Sequence, residues 1–167
     1  MTPAELLTEI VERIKTSITA TLDGIDEQIL TKRPGPDANS IAWLIWHLSR
    51  VQDAVITMAS GQEQAWTAGG FAEEFALPFK AKDTGFGHSS EQVAQVHASA
   101  DALGRYYDAV HAKTLRYLAT VTGQMLDEVV GERYGKPLTG AGRLLMIVND
   151  NLQHAGQAAY LKGLFAA

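Results

Sequence analysis

Apolar residues spaced three and four apart, in runs opened by capping signals, dominate this 167-residue chain. That spacing lays a stripe along one face of an α-helix, and it leaves no segment with the sustained two-residue alternation of a strand. The first run is fully punctuated. Thr2 supplies an N-cap, Pro3 a first helical residue and Glu5 the reciprocal partner of a capping box. Leu6, Leu7, Ile10, Val11, Ile14, Ile18 and Leu22 then form the stripe, and Gly24 marks its end. A second helix opens at Asn39 or Ser40 and runs to Gly61. Its start is apolar on more than one side, so its first two turns are expected to be deeply buried.

Ser89 and Gln92 repeat the capping-box pattern and predict one long third helix from about Ser90 to Val121. A short helical turn near Gln124 to Val130 and a polar loop with Gly131, Gly135 and Pro137 follow. Thr139 caps a last helix from about Gly140 to Gly163. The segment from Asp26 to Asn39 holds Arg33-Pro34-Gly35-Pro36 and is expected to be a loop, because proline cannot continue a helix. Gly61 to His88 makes a connection of roughly thirty residues, too long for a hairpin turn. It suits a crossover between helices pointing the same way, or a cover over a site. Four long helices predict an all-α, four-helix-bundle domain spanning residues 1–167.

Hydrophobic residues make up 46% and charged residues 20% of the chain, enough apolar material for one self-sufficient core. With no cysteine, disulfides and thiolate ligands are excluded, and any metal site must use His, Asp or Glu. The net charge is −5 and basic residues are scattered, which argues against a nucleic-acid partner. The N-terminal residues lack the basic and apolar regions of a signal peptide. The apolar stretch Ile41 to Leu48 is far too short to span a bilayer. A cytoplasmic protein without membrane contact is the expectation.

The chemistry-bearing residues lie in the second and last helices. Asp150 and His154 are one helical turn apart in Asn149-Asp150-Asn151-Leu152-Gln153-His154, so both project from one face and can converge on a divalent ion. His47 lies among core-type residues in Trp43-Leu44-Ile45-Trp46-His47-Leu48, where an unpaired imidazole costs free energy and calls for a partner. If His47 meets Asp150 and His154 across the helices, two imidazoles and a carboxylate form a facial set suited to Zn²⁺, Ni²⁺ or Fe²⁺. The bland alternatives are a chance Asp-x₃-His pair and a hydrogen-bonded core histidine. His88, just ahead of a helix N-terminus, can help bind an anion or simply belong to the cap. Arg50 can meet a ligand carboxylate or pair with Asp53 at the surface. His97 and His111 are expected mid-helix and exposed, and Trp43, Trp46, Trp66 and the third-helix tyrosines in the core. No hydrolase elbow, P-loop or dinucleotide fingerprint is present.

Four segments carry a family resemblance. They are Trp46-His47-Leu48-Ser49-Arg50-Val51-Gln52-Asp53, Trp66-Thr67-Ala68-Gly69-Gly70-Phe71, Thr84-Gly85-Phe86-Gly87-His88-Ser89-Ser90, and Asn149-Asp150-Asn151-Leu152-Gln153-His154-Ala155-Gly156-Gln157. In these the chain resembles the DinB superfamily, and within it a branch of actinobacterial-type proteins. The resemblance implies an up-down-down-up bundle with its long crossover between the second and third helices. It implies a divalent metal, Zn²⁺ or Ni²⁺, held by a His of the second helix and a His-x₃-His pair of the fourth. Those positions are His47, Asp150 and His154 here, with Asp150 standing where the family usually has His. Characterised relatives include transferases and isomerases that use mycothiol or bacillithiol as thiol cosubstrate, and many are homodimers. Under that analogy Arg50 or His88 orients an anionic substrate. The competing expectations are a non-catalytic small-molecule-binding or stress-response module, and a structural homodimer with a degenerate metal site.

Overall fold

The Thr2 hydroxyl accepts the Glu5 amide at 3.2 Å while the Glu5 carboxylate accepts the Thr2 amide at 2.7 Å, so the first helix begins with a closed capping box. In this computed structural model, which describes residues 1–166, the chain is mostly helical with one small antiparallel sheet. Helix α1 spans Pro3–Leu22 and buries Val11, Ile14, Ile18 and Leu22. A single-turn helix α2, Glu27–Thr31, interrupts the segment expected to be loop; Asp26 caps it and Leu30 anchors it in the core. Helix α3 covers Ile41–Ser60, capped by Ser40 and stopped at Gly61 in the left-handed conformation.

The long connection holds two further short helices, α4 (Ala65–Ala68) and α5 (Phe71–Phe75). They lay Trp66, Phe71 and Phe75 on Tyr106, which closes the core over the outer side of α3. Every residue from Ile41 to Arg50 is buried, with α2, α4 and the later helices Ala100–Leu118 and Gly140–Phe165 packed against α3. The expected single third helix is broken in two: α6 (Ser90–Ala94) and α7 (Ala100–Leu118). Ser99 is the cause, for its hydroxyl accepts the Ala102 amide at 3.1 Å and starts a new helix. Val93 and Val96 continue the apolar spacing across the break, both buried, and this hides the restart in the sequence.

After α8 (Gly123–Asp127) come two strands that the sequence pattern did not predict, β1 (Val129–Arg133) and β2 (Lys136–Thr139). They pair antiparallel with Arg133 opposite Lys136, around a two-residue turn in which Tyr134 and Gly135 both have positive φ. Such a turn follows the twist of a hairpin, and glycine takes it without steric cost. The strands are short and mostly exposed, so they carry no alternating apolar signal. Thr139 then caps α9, Gly140–Phe165.

Helix α3 packs against both α7 and α9, and α1 packs against the same two. A buried chain of side-chain amides and hydroxyls fixes their register. Asn151 of α9 donates to Gln52 of α3, which donates to Thr114 of α7 at 2.7 Å, and Thr114 returns its proton to the Val110 carbonyl. Each bond is buried, so losing one partner strands the other. Among the described residues no helix is long and apolar enough to cross a membrane.

Candidate metal centre

Helix α3 presents His47 toward α9, where Asp150 and His154 sit one turn apart. One ligating atom from each of the three lies within 4.8 Å of the others. Asp150 Oδ1 is 3.9 Å from His47 Nε2 and 3.5 Å from His154 Nε2. Donor atoms bound about 2.1 Å from one ion at tetrahedral angles stand about 3.4 Å apart, so these gaps fit a shared ion. The structure thus brings together the three residues singled out from sequence.

Both imidazoles are held in the tautomer a metal requires. His47 Nδ1 donates to the Thr84 carbonyl, and His154 Nδ1 donates to Gln157 Oε1 at 2.9 Å. In the neutral ring each Nε2 therefore carries the lone pair, the arrangement of a ligating histidine with an outer hydrogen-bond partner. Asp150 Oδ2 is buried without a hydrogen-bond partner. A buried, unsatisfied carboxylate oxygen is costly, and a cation beside it removes that cost. On these observations the residues fit a divalent ion.

Burial lowers the pKa of His47, and the nearby imidazoles of His154 and His88 act in the same direction against the Thr84 carbonyl and Asp150. His47 is thus favoured in its neutral, ligating form. For His154 burial also works downward, but hydrogen bonds to Asp150 and Gln157 and the Asp150 charge outweigh it and raise the pKa. A metal ion at this nitrogen would have to displace a proton.

Aromatic packing fixes the rings. Trp43 stacks on His47 with centroids 4.5 Å apart and planes at 12°, and His154 meets the edge of both rings. The loop preceding α6 closes the other side. A Cβ on Gly85 would stand 2.9 Å from the Trp46 ring and 3.0 Å from His47 Nδ1, and the backbone there has φ of +88°. Only glycine lets the loop come close enough for the neighbouring Thr84 carbonyl to reach His47.

The two weaker sequence candidates support this loop. The His88 side chain is buried; Nδ1 accepts the Trp43 indole proton at 3.2 Å and Nε2 donates to Asp83 Oδ1 at 3.1 Å. Both ring nitrogens are occupied by the chain itself. Hydrogen bonds from Gly85 N–H and His88 hold the Asp83 carboxyl below its ordinary value, although burial acts upward. Arg50 is not at the surface: its pair with Asp53, 3.7 Å apart, is wholly buried. Its guanidinium donates to the carbonyls of Asp83 (3.0 Å) and Ala81 (2.7 Å), to Gln64 Oε1 (2.9 Å) and to the Tyr106 hydroxyl (3.2 Å). Asp53 in turn accepts from the amides of Ala65 and Trp66, from Tyr106 and from Lys113. Arg50 is thereby engaged within the core and its crossover.

Two other histidines need correction. His97 is exposed but lies in the break between α6 and α7 rather than mid-helix. His111 is mid-helix yet buried, with Nε2 3.3 Å from Glu12 on α1. Offsets along one helix could not disclose a partner on another. Thr84 and Gln157 escape sequence reasoning for the same reason, since a backbone carbonyl and a surface-type amide carry no sequence signal. Trp43, Trp46, Trp66, Tyr106 and Tyr107 are buried as expected, whereas Tyr117, also on α7, is only half-buried.

A cleft of about 540 Å³ opens beside the centre, with His47, Thr84, Asn149, Asp150 and Arg133 as its polar lining and Val51, Ala54, Val55, Met58, Phe86, Leu145 and Met146 as apolar walls. A hollow of about 580 Å³ near the start of α1 holds Glu5 and Glu9 but no such cluster. With three protein donors, an ion here keeps open positions for a ligand entering from the cleft.

The profile of the DinB superfamily matches residues 11–158. Among solved structures, the crystal structure of a conserved protein from Enterococcus faecalis is similar, with 28% identity and a TM-score of 0.89 over 97% of this chain and 96% of that one. No curated protein matches the sequence.

Proposed function

The chain belongs to the DinB superfamily, and on that premise we propose that it binds one divalent metal ion through His47 Nε2, an Asp150 carboxylate oxygen and His154 Nε2. The observation that carries this reading is the convergence of three donors whose outer partners already select the ligating tautomers, beside an unsatisfied Asp150 oxygen. Two imidazoles and a carboxylate suit Zn²⁺ or Ni²⁺, and the carboxylate gives the set harder character than three imidazoles. When bound, such an ion supplies Lewis acidity that lowers the pKa of a coordinated thiol or water. The protein would then serve thiol-dependent transfer or isomerisation with a cosubstrate of the mycothiol or bacillithiol kind, in the manner of the actinobacterial-type relatives. In this reading His47 and His154 stay neutral, Asp150 balances charge, and the apolar walls of the cleft hold water back from the reacting group. Arg50 and His88 act from behind, as supports of the Thr84 loop.

The same reading takes α1, α3, α7 and α9 as an up-down-down-up bundle forming one domain, with residues 61–88 as its crossover. It also takes the protein as a cytoplasmic homodimer without membrane or nucleic-acid partners. Elemental analysis after reconstitution with Zn²⁺ or Ni²⁺ tests the centre: one ion per chain, lost in His47→Ala, is expected, and no stoichiometric ion defeats it. A second reading draws on Asp150 Oδ1 lying between the two Nε2 atoms. There the carboxylate bridges a structural pair in a degenerate site, and thermal stability is indifferent to chelator and to added metal.

A further inference from the structure

The cleft beside the metal centre has features the ligand set does not use. Its volume of about 540 Å³ lies within the roughly 300–1,000 Å³ of small-molecule sites. Met58, Phe86 and Leu145 stand 64%, 85% and 57% exposed around it, an unusual gathering of large apolar side chains in water. Val55 of α3 and Met146 of α9 extend the apolar lining. Of the lining residues, Arg133 on the hairpin is the one cation and Asp150 the one carboxylate. The Arg133 guanidinium rests on the Tyr134 ring at 5.0 Å rather than on an acidic partner among the described residues.

We propose that this cleft binds a small amphipathic anion, its apolar body against Val55, Met58 and Leu145 and its carboxylate or similar anionic end at Arg133. Arg133, the one cation of the lining, supplies the counter-charge for that anionic end. The hairpin's place in the fold acquires a purpose, because β1 carries the cation to a wall otherwise built from two helices. The inference rests on the metal reading for any chemistry done on the ligand, and on the cleft alone for binding.

Octanoate, octylammonium and octanol form a matched set of probes, titrated calorimetrically into the full chain with chelator present and again with Zn²⁺. Octanoate is expected to bind more tightly than the other two. Because Arg133 is solvent-exposed, Arg133→Gln should weaken octanoate only about three- to fivefold, leave octanol unchanged, and be rescued by Arg133→Lys. Ala54→Trp should fill the cleft and weaken both octanoate and octanol. Equal affinity for octanoate and octylammonium, or indifference of octanoate to Arg133→Gln in a folded variant, would overturn the proposal. Arg133-dependent octanoate binding by a protein that takes up no metal would end the metal reading and leave this one intact. Metal uptake without such binding would do the reverse.

Discussion

Thr84 and His47, far apart in sequence, are joined by a hydrogen bond in which the Thr84 carbonyl takes the His47 Nδ1 proton. The bond ties the state of a helix residue to the position of a loop. The loop is itself clamped from α3, because Arg50, less than one turn beyond His47, holds the carbonyls of Ala81 and Asp83. His47 and the clamp thus leave the same helix and grip the same connection.

Replacing Arg50 with Met should destabilise the protein by about 3 kcal/mol, since it removes one member of a buried ionic network and strands several carbonyls. Arg50→Lys keeps the charge but cannot span four acceptors, and should recover only part of the loss. Urea denaturation measures both. A wild-type midpoint for Arg50→Met would refute the clamp.

Gly85→Ala introduces a methyl group 2.9 Å from Trp46 and 3.0 Å from His47 Nδ1, in a backbone conformation unfavourable to alanine. A loss of about 1–3 kcal/mol is expected, together with weaker metal uptake as the Thr84 carbonyl moves off His47. Gly87, where an added Cβ would meet nothing within 4 Å, shares the positive φ without the crowding. Gly87→Ala therefore separates backbone strain from steric displacement, and only Gly85→Ala should lower metal affinity in competition with a chromogenic chelator.

Gln157→Leu removes the acceptor for His154 Nδ1 while leaving all three donor atoms in place. Loss of such an outer partner costs about 10–100-fold in metal affinity. A drop in that range, with unchanged helical circular dichroism, supports the centre. Unaltered affinity would show that the Gln157 contact does no orienting.

The histidines give the metal-free protein two opposing pH dependences. His47, with its pKa lowered by burial, contributes stability present above 6.5 and lost as pH falls below it. His154, raised by Asp150 and Gln157, contributes stability present below 6.5 and lost as pH rises through its folded value. Metal requires both rings neutral, so the gain in Tm on adding Zn²⁺ should grow from about pH 6 to about pH 8. Asp150→Asn should lower the His154 pKa, seen by NMR titration, and weaken the metal. A Zn²⁺ effect independent of pH would contradict ligation by His154.

The long helices were legible because capping signals and apolar stripes are local properties. Thr2-Pro3-x-Glu5 and Thr139 each start a helix where the sequence placed it, and Ser40 is the cap of the two candidates Asn39 and Ser40. The break at Ser99 was hidden because Val96, inside it, is buried in the same core as Val93 before it and Leu103 after it. The hairpin was hidden because Tyr134-Gly135 is an unusual turn pair and its strands bury almost nothing. Of the centre, His47, Asp150 and His154 stood out as polar residues in apolar surroundings. Of their supports, Thr84 gave no signal because it acts through its backbone, and the role of Arg50 was hidden because its carbonyl partners come from a distant loop. The burial of Arg50 and His111 likewise follows from neighbours that only folding assembles.

Asn151 and Asp150 are adjacent on α9 but face different tasks. Asn151 is fully buried and grips Gln52, whereas the Asp150 side chain keeps 27% of its surface open to the cleft. Holding the helix in place and presenting a carboxylate to the candidate centre are thereby assigned to separate side chains. Under the proposed metal reading, position 150 would be free to exchange carboxylate for imidazole, and with it one metal appetite for another, while the scaffold stays still.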